Sequence, residues 1–292
     1  MKTDCAFYIG SKHEVCHDYV LAQPSMVVLS DGCSGSPLTD FGSRILCVAA
    51  LNEMSEVGST KEFITSKCIL SARPIAKLLN LPVECLDATL LCAMMNEETN
   101  TLSALLYGDG CIAIKYTNGE IWLVTGTSPS DEKNSYPFYI NYLYDRRKRY
   151  DAWKVKGTKK NSIHIIKPDG EITTEVESSR EKTERLGPDG SAGLLIVEEF
   201  RTQIEMVNAK QDVEWIALIS DGVQSFYEDV VEETSSFVKN VDYLQVVPEL
   251  LKMKLFAGPF VQRRLNKFRR WCSKRNLEHG DDLSMAVLYL GE

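Results

Sequence analysis

No stretch of this 292-residue sequence approaches the roughly 20 consecutive apolar residues that a membrane-spanning helix requires. Residues Met1 to Gly10 contain Asp4 and lack the basic start and apolar stretch of a secretory signal. Both absences set the expectation of a cytoplasmic protein with no membrane partner. None of the nine cysteines forms a Cys-x-x-Cys pair, which removes support for a zinc knuckle or a thioredoxin-like centre. Their odd number in a long chain argues for reduced thiols, and runs such as Ile45-Leu46-Cys47-Val48 and Leu90-Leu91-Cys92-Ala93 use the thiol as a small hydrophobe. An excess of positive charge is also lacking. With 33 Lys and Arg against 41 Asp and Glu, the formal net charge is -8, which disfavours nucleic acid and leaves many carboxylates for cation binding. Internal repeats, low-complexity segments and linker-like boundaries are absent, so a single domain over residues 1–292 is expected.

What is present is an ordinary globular composition, 44% hydrophobic and 25% charged. Short apolar runs separated by turn signals predict strands at Phe7 to Gly10, Tyr19 to Ala22 and Met26 to Ser30. Phe41, Ile45, Val48 and Leu51 fall near a 3.6 period and predict a helix from Asp40 to about Met54, with Asp40 as its cap. A second helix is expected over Arg73 to Asn80, with Pro74 in its first turn. From Ala88 to Val124 the pattern is an antiparallel meander whose last turn is Asn118-Gly119. Residues 128–160 read as a flap or insertion. Strands resume at Ile163 to Lys167, Leu194 to Val197 and Trp215 to Ser220, helices follow at Val241 to Phe256 and Pro259 to Lys274, and Leu283 to Leu290 closes the chain. Many antiparallel strands with helices between them suggest an α+β fold of two packed sheets covered by helices.

Four places put aspartate at the end of an apolar strand, in Val27-Val28-Leu29-Ser30-Asp31-Gly32, Leu106-Tyr107-Gly108-Asp109-Gly110, Ala217-Leu218-Ile219-Ser220-Asp221-Gly222 and Gly280-Asp281-Asp282-Leu283-Ser284, and Asp18 heads Tyr19-Val20-Leu21. A strand end is a rigid mount, and glycine lets backbone approach an ion closely. Any one Asp-Gly is explained by a tight turn alone. Converging carboxylates repel, so such a set is stable chiefly around a cation, and oxygen-only ligands suit magnesium or manganese rather than zinc.

The ordered set resembles the metal-dependent protein phosphatases of the protein phosphatase 2C family, especially their compact bacterial and phage-like branch. The resemblance is carried by His17-Asp18, Ser30-Asp31-Gly32 followed by Gly35, Asp87-Ala88-Thr89, Gly108-Asp109, Ser220-Asp221-Gly222 and Asp281-Asp282-Leu283-Ser284, and it spans nearly the whole chain. It implies an αββα four-layer sandwich. It also implies two Mn2+ or Mg2+ ions held by Asp18, Asp31, Asp221, Asp281 and the Gly32 carbonyl, with Asp109 and Asp221 matching the place of a third, weaker ion in some members. Asp282 is expected to support the ligands or to serve as an alternative one. Water shared by the ions would attack phosphorus directly, with no phosphoenzyme.

The family's phosphate-gripping arginine is replaced by His13, so Lys12 or His13 is the expected substrate-binding residue, with an idle loop as the alternative. Cys33 replaces a histidine proposed as proton donor in eukaryotic members and is read as a packing residue, while His17 is expected to orient Asp18. The basic residues of Pro259 to Lys274 and the run Arg146-Arg147-Lys148-Arg149 are read as solvated faces, with binding of a phosphorylated partner as the alternative. The expected activity is hydrolysis of phosphoserine and phosphothreonine in a protein substrate, opposite a cognate kinase. Its rivals are an inactive interaction module of the same fold and a hydrolase of small phosphate esters.

Overall fold

A strand such as Leu90–Asn96 (β4), apolar at nearly every position, must be covered on both faces, because successive side chains point to opposite sides of a sheet. The computed structural model describes residues 1–57, 67–126, 128–129, 137–144, 159–178, 182–187, 193–197, 201–232 and 235–291. In it Leu91, Ala93 and Met95 enter one layer of core, and Leu90, Cys92 and Met94 another. Val213–Ile219 (β14) and Leu283–Tyr289 (β18) behave alike: Ile216, Leu218, Ala286 and Leu288 face the central layer, while Ala217, Ile219, Met285 and Val287 face a third.

Three core layers require four layers of structure. One sheet runs β1 (Lys2–Tyr8), β18, β14, β6 (Cys111–Tyr116), β7 (Ile121–Thr125), β9 (Lys159–Ile166) and β10 (Ile172–Ser178), with β8 (Ser128–Pro129) beside β9. The facing sheet runs β11 (Lys182–Leu186), β12 (Gly193–Val197), β13 (Thr202–Val207), β5 (Thr101–Tyr107), β4, β3 (Met26–Ser30) and β2 (Tyr19–Gln23). All pairings are antiparallel. Helices α1 (Thr39–Val57) and α2 (Lys67–Leu78) cover the second sheet. The one-turn α3 (Ala209–Asp212) precedes β14, and α4 (Tyr243–Leu250) and α5 (Phe260–Ser273) cover the first sheet. A small sheet of β16 (Ser235–Asn240), β15 (Phe226–Glu232) and β17 (Leu277–His279) adjoins them. This is the expected αββα sandwich.

Several local expectations are corrected. On α1, Phe41 and Val48 are 48% and 44% exposed, whereas Leu46, Cys47, Ala50 and Met54 are fully buried. The helix is rotated because Gly42 lies against the Cys85 backbone, where a side chain would collide, and that close approach turns the Gly42–Leu46–Ala50 side inward. Pro74 sits inside α2 rather than in a first turn. The carbonyl it leaves without a donor belongs to half-exposed Leu70, where water can reach. Helix α4 ends at Leu250, well before Phe256, whose ring instead stacks on Tyr289 with centroids 3.9 Å apart.

Helix α5 matches its expected span and buries Val261, Leu265, Phe268 and Cys272, but its basic face is not wholly solvated. Arg264 turns inward and donates to the Leu250 carbonyl at 3.1 Å and to the Glu249 carboxylate at 3.1 Å, closing the end of α4. Strand β1 starts at Lys2, five residues before the expected Phe7, and β15 to β17 were not expected. The run Arg146 to Arg149 and most of residues 128–160 lie outside the described residues.

Leu218, fully buried between the sheets, gives the direct check on this layering. Leu218→Ala should lower unfolding free energy by about 2–5 kcal/mol in urea titrations, with an unchanged slope.

Candidate metal centre

The aspartates converge because neighbouring strands deliver them to one end of the sandwich. Asp31 follows β3, and its loop is sewn to Thr89: Ser30 Oγ donates to the Thr89 carbonyl at 2.7 Å, the Asp31 N–H to Thr89 Oγ1 at 3.0 Å, and the Thr89 N–H to the Asp31 carbonyl at 2.8 Å. Gly32 bridges to Ala88, and a Cβ there would stand 2.8 Å from the Cβ of Thr39. Asp221 follows β14 on the opposite sheet and opens a turn over Asp221–Gln224. Gly222 packs against the Asp282 carbonyl so closely that any side chain would collide. Asp109 lies between β5 and β6, after Gly108 with φ +106°, a conformation that favours glycine. Asp18 precedes β2 and is buried, with its Oδ2 accepting from Ser284 Oγ at 2.6 Å.

Carboxylate oxygens of Asp31, Asp109 and Asp221 lie within 4.8 Å of one another. They floor a cleft of about 230 Å³ lined also by Gly32, Cys33, Ser34, Thr89, Pro137, Tyr139 and Asp281. Burial pushes the carboxyls of Asp18, Asp31 and Asp109 well above the usual range. The charges of Asp18, Asp221 and Asp109 raise Asp31 further. Asp221 is raised chiefly by burial and then by Asp281 and Asp282, against the opposing effects of its bond to Asp31 and of His13. One buried oxygen each of Asp18, Asp109 and Asp221 has no hydrogen-bond partner. Orphaned carboxylate oxygens, those of Asp109 and Asp221 on the cleft and that of Asp18 outside its lining, are what a hard divalent cation satisfies, so this donor set fits magnesium or manganese.

The remaining expected site residues are placed elsewhere. Asp282 is buried and turned from the cleft, its Oδ1 accepting from the Gly10 N–H at 2.8 Å and its Oδ2 from the His17 N–H at 2.6 Å. His13 Nδ1 is 3.1 Å from Asp282 Oδ2 and 3.5 Å from Asp281 Oδ1. The ring of His17 faces His13 and Asp282, where Asp18 was the expected partner. Lys12 extends over the Tyr227 ring, 5.4 Å from its centroid, and does not line the cleft. Cys33 does line it.

Sequence reasoning missed the supporting polar groups. Asp87 accepts from Ser36 Oγ at 2.9 Å and from Asn141 Nδ2 at 2.9 Å, its carbonyl accepts from the Cys33 N–H at 2.9 Å, and Arg73 donates to Asn141 at 3.1 Å. Thus the Asp31–Ser36 loop is tied to residues 137–144, which bring Tyr139 to the cleft. The Asp87-Ala88-Thr89 motif was a visible signal for this; Asn141 had none. Burial raises the Tyr139 hydroxyl far above the usual phenol range, with the Cys33 thiol adding to it, so the phenol stays neutral.

The family model described as "Protein phosphatase 2C" matches residues 11–268. Among solved structures, a C. elegans sex determining protein is similar at 16% identity and TM-score 0.53, covering 99% of this chain and 64% of its own. A point variant of a bacterial serine phosphatase is similar at 11% identity and TM-score 0.51, covering 100% of this chain and 98% of its own. The catalytic domain of the serine threonine protein phosphatase PstP, in complex with two manganese ions, covers 98% of this chain and 96% of its own at 13% identity and TM-score 0.44. No curated protein sequence matches. The first two structural likenesses show the fold.

Removing one member of the repelling set should relieve the apo protein while destroying the site. In chelator, Asp31→Ala and Asp221→Ala are each expected to show a thermal midpoint equal to or above that of the unsubstituted protein. The midpoint rise on adding manganese should be lost; a midpoint well below the parent in chelator would contradict the strain reading.

Proposed function

The chain belongs to the protein phosphatase 2C family, and on that premise we propose that it hydrolyses phosphoserine and phosphothreonine in proteins with two divalent cations, Mn2+ or Mg2+. The observation that carries this reading is the pair of orphaned carboxylate oxygens of Asp109 and Asp221 in the cleft beside Asp31, three buried acids whose mutual repulsion a cation relieves. Asp18, Asp31, Asp221, Asp281 and the Gly32 carbonyl would hold the two ions, with Asp109 and Asp221 available to a third. When bound, such ions lower the pKa of water and neutralise charge on phosphoryl oxygens.

The protein's own contribution is placement. Thr89 fixes the backbone of Asp31 through two hydrogen bonds, and Ser284 holds one oxygen of Asp18 so that the other stays free. Such preset positions reduce the reorganisation needed when substrate arrives. Tyr139, neutral and 7% exposed, narrows the cleft together with Pro137 and offers a phenol donor at its edge. A phosphorylated protein is the substrate class, with a Ser/Thr kinase as its counterpart.

One observation favours the rival of a non-hydrolysing interaction module: none of the described residues lining the cleft is cationic, and Lys12 lies over Tyr227 instead. No helix among the described residues is long and apolar enough to cross a membrane.

Para-nitrophenyl phosphate hydrolysis with manganese, with magnesium and with chelator, followed by phosphopeptides, separates these readings. Metal-dependent turnover that chelation abolishes, with phosphopeptides preferred, is expected. Full activity after exhaustive chelation would contradict the metal mechanism, and a folded, ion-binding protein without turnover would establish the interaction module. Asp109→Asn should lower turnover and raise the manganese requirement while the fold persists, since asparagine also tolerates the turn after Gly108. Unchanged rates across a manganese titration would leave Asp109 as a turn residue alone.

A further inference from the structure

Outside the cleft, a second cluster has different chemistry. We propose that His13, His17 and Asp282 form a binding site for a borderline divalent cation of the zinc type, separate from the all-oxygen centre. Ligand atoms of the three residues lie within 4.8 Å of one another. His13 Nδ1 is 3.1 Å and His17 Nδ1 4.0 Å from the same oxygen, Asp282 Oδ2, and the two imidazole rings stand edge to face with centroids 5.0 Å apart. Around a tetrahedral zinc, with ligand bonds of about 2.1 Å, neighbouring donor atoms are about 3.4 Å apart. The two measured distances straddle that value.

An ordinary ion pair does not account for the geometry. Both Nδ1 atoms are buried, and neither has a hydrogen-bond partner. His13 is close enough to Asp282 for charge pairing, yet it is not aligned to donate to it. An Nδ1 that bears hydrogen needs an acceptor, and one without hydrogen needs a donor. A cation placed between them takes both lone pairs and the carboxylate charge at once. The carboxylate is already oriented for this by the Gly10 and His17 N–H groups, as ligating carboxylates commonly are. The His17 backbone is itself fixed, its carbonyl accepting from Ser43 Oγ at 2.6 Å. With side chains 16% and 24% exposed, His13 and His17 lie near the surface although their Nδ1 atoms are buried. Two imidazoles favour zinc, nickel or copper over magnesium, the reverse of the cleft's preference.

Occupancy would clamp the loop between β1 and β2 onto the segment that leads into β18. It would also act beside the first centre, because the Asp282 N–H donates to Asp281 Oδ1 at 2.8 Å and His13 Nδ1 is 3.5 Å from that oxygen.

The test is independent of whether the chain turns over phosphate. The full chain is saturated with magnesium to fill the oxygen centre and then titrated calorimetrically with zinc sulfate, and in parallel with cobalt while its visible absorption is recorded. One additional zinc per chain and the intense absorption of tetrahedral cobalt are expected. His13→Ala and His17→Ala should each weaken zinc binding at least about tenfold. Asp31→Asn and Cys16→Ser should leave it unchanged, although the Cys16 thiol borders Asp282. Should His17→Ala fail to fold, as judged by near-ultraviolet circular dichroism, His13→Gln decides alone, since it removes the ligand and keeps a polar side chain. No zinc uptake above magnesium would overturn the proposal. So would uptake that Asp31→Asn abolishes and the histidine substitutions leave intact, because the zinc would then be entering the oxygen centre.

Discussion

Mutual repulsion among buried carboxylates is the interaction on which this structure depends. Asp18, Asp31, Asp109 and Asp221 are all raised by burial, each also feels the charge of at least one other acid, and three of them carry an oxygen with no partner. Nothing in an apo chain rewards that arrangement. It persists because the sheets that deliver the acids are stabilised elsewhere, by three layers of apolar core. The fold acts as a clamp, and the clamp is strong because its layers bury nearly every side chain of β4, β5, β14 and β18.

The clamp is also polar at its working end. Serine hydroxyls lock the strand ends to each other: Ser30 Oγ donates to the Thr89 carbonyl on one sheet, Ser220 Oγ accepts from the Ser284 N–H on the other, and Ser284 Oγ donates to Asp18 across the two. Each bond is modest by itself, about 0.5–1.5 kcal/mol net, but leaving any such buried group unmade costs more. These hydroxyls therefore fix where the acids can sit, while the apolar layers supply the stability.

The aspartates were legible because each adjoins an apolar run, before it or after it, and most adjoin a glycine, a pattern that survives in one dimension. Strand-end position needs no tertiary information. The facing of α1 did not survive: Phe41 and Val48 looked like core, and only the close approach of Gly42 to the Val83–Leu86 turn shows why they point outward. Pro74 was placed by a rule for first turns that tertiary packing overrode. Arg264 was read as surface because its partners, the Leu250 carbonyl and Glu249, come from another helix. Lys12 and His13 were assigned from a position matched to relatives, and the same loop instead turns them toward Tyr227 and Asp282. Asn141 and Arg73 gave no signal at all, since their role exists only where α2, Asp87 and residues 137–144 meet.

If cation charge relieves the carboxylate repulsion, then binding must expel protons that burial holds on those acids. Because folding raises these carboxyl pKa values above the usual 3.8, the apo site retains protons at a pH where exposed carboxylates have lost theirs. Calorimetric titration with manganese in buffers of differing ionisation enthalpy counts the protons released per ion. The account predicts release that is greatest in mildly acidic buffer, falls as pH rises, and is reduced in Asp31→Ala. Manganese binding with no proton release at any of these pH values would contradict it.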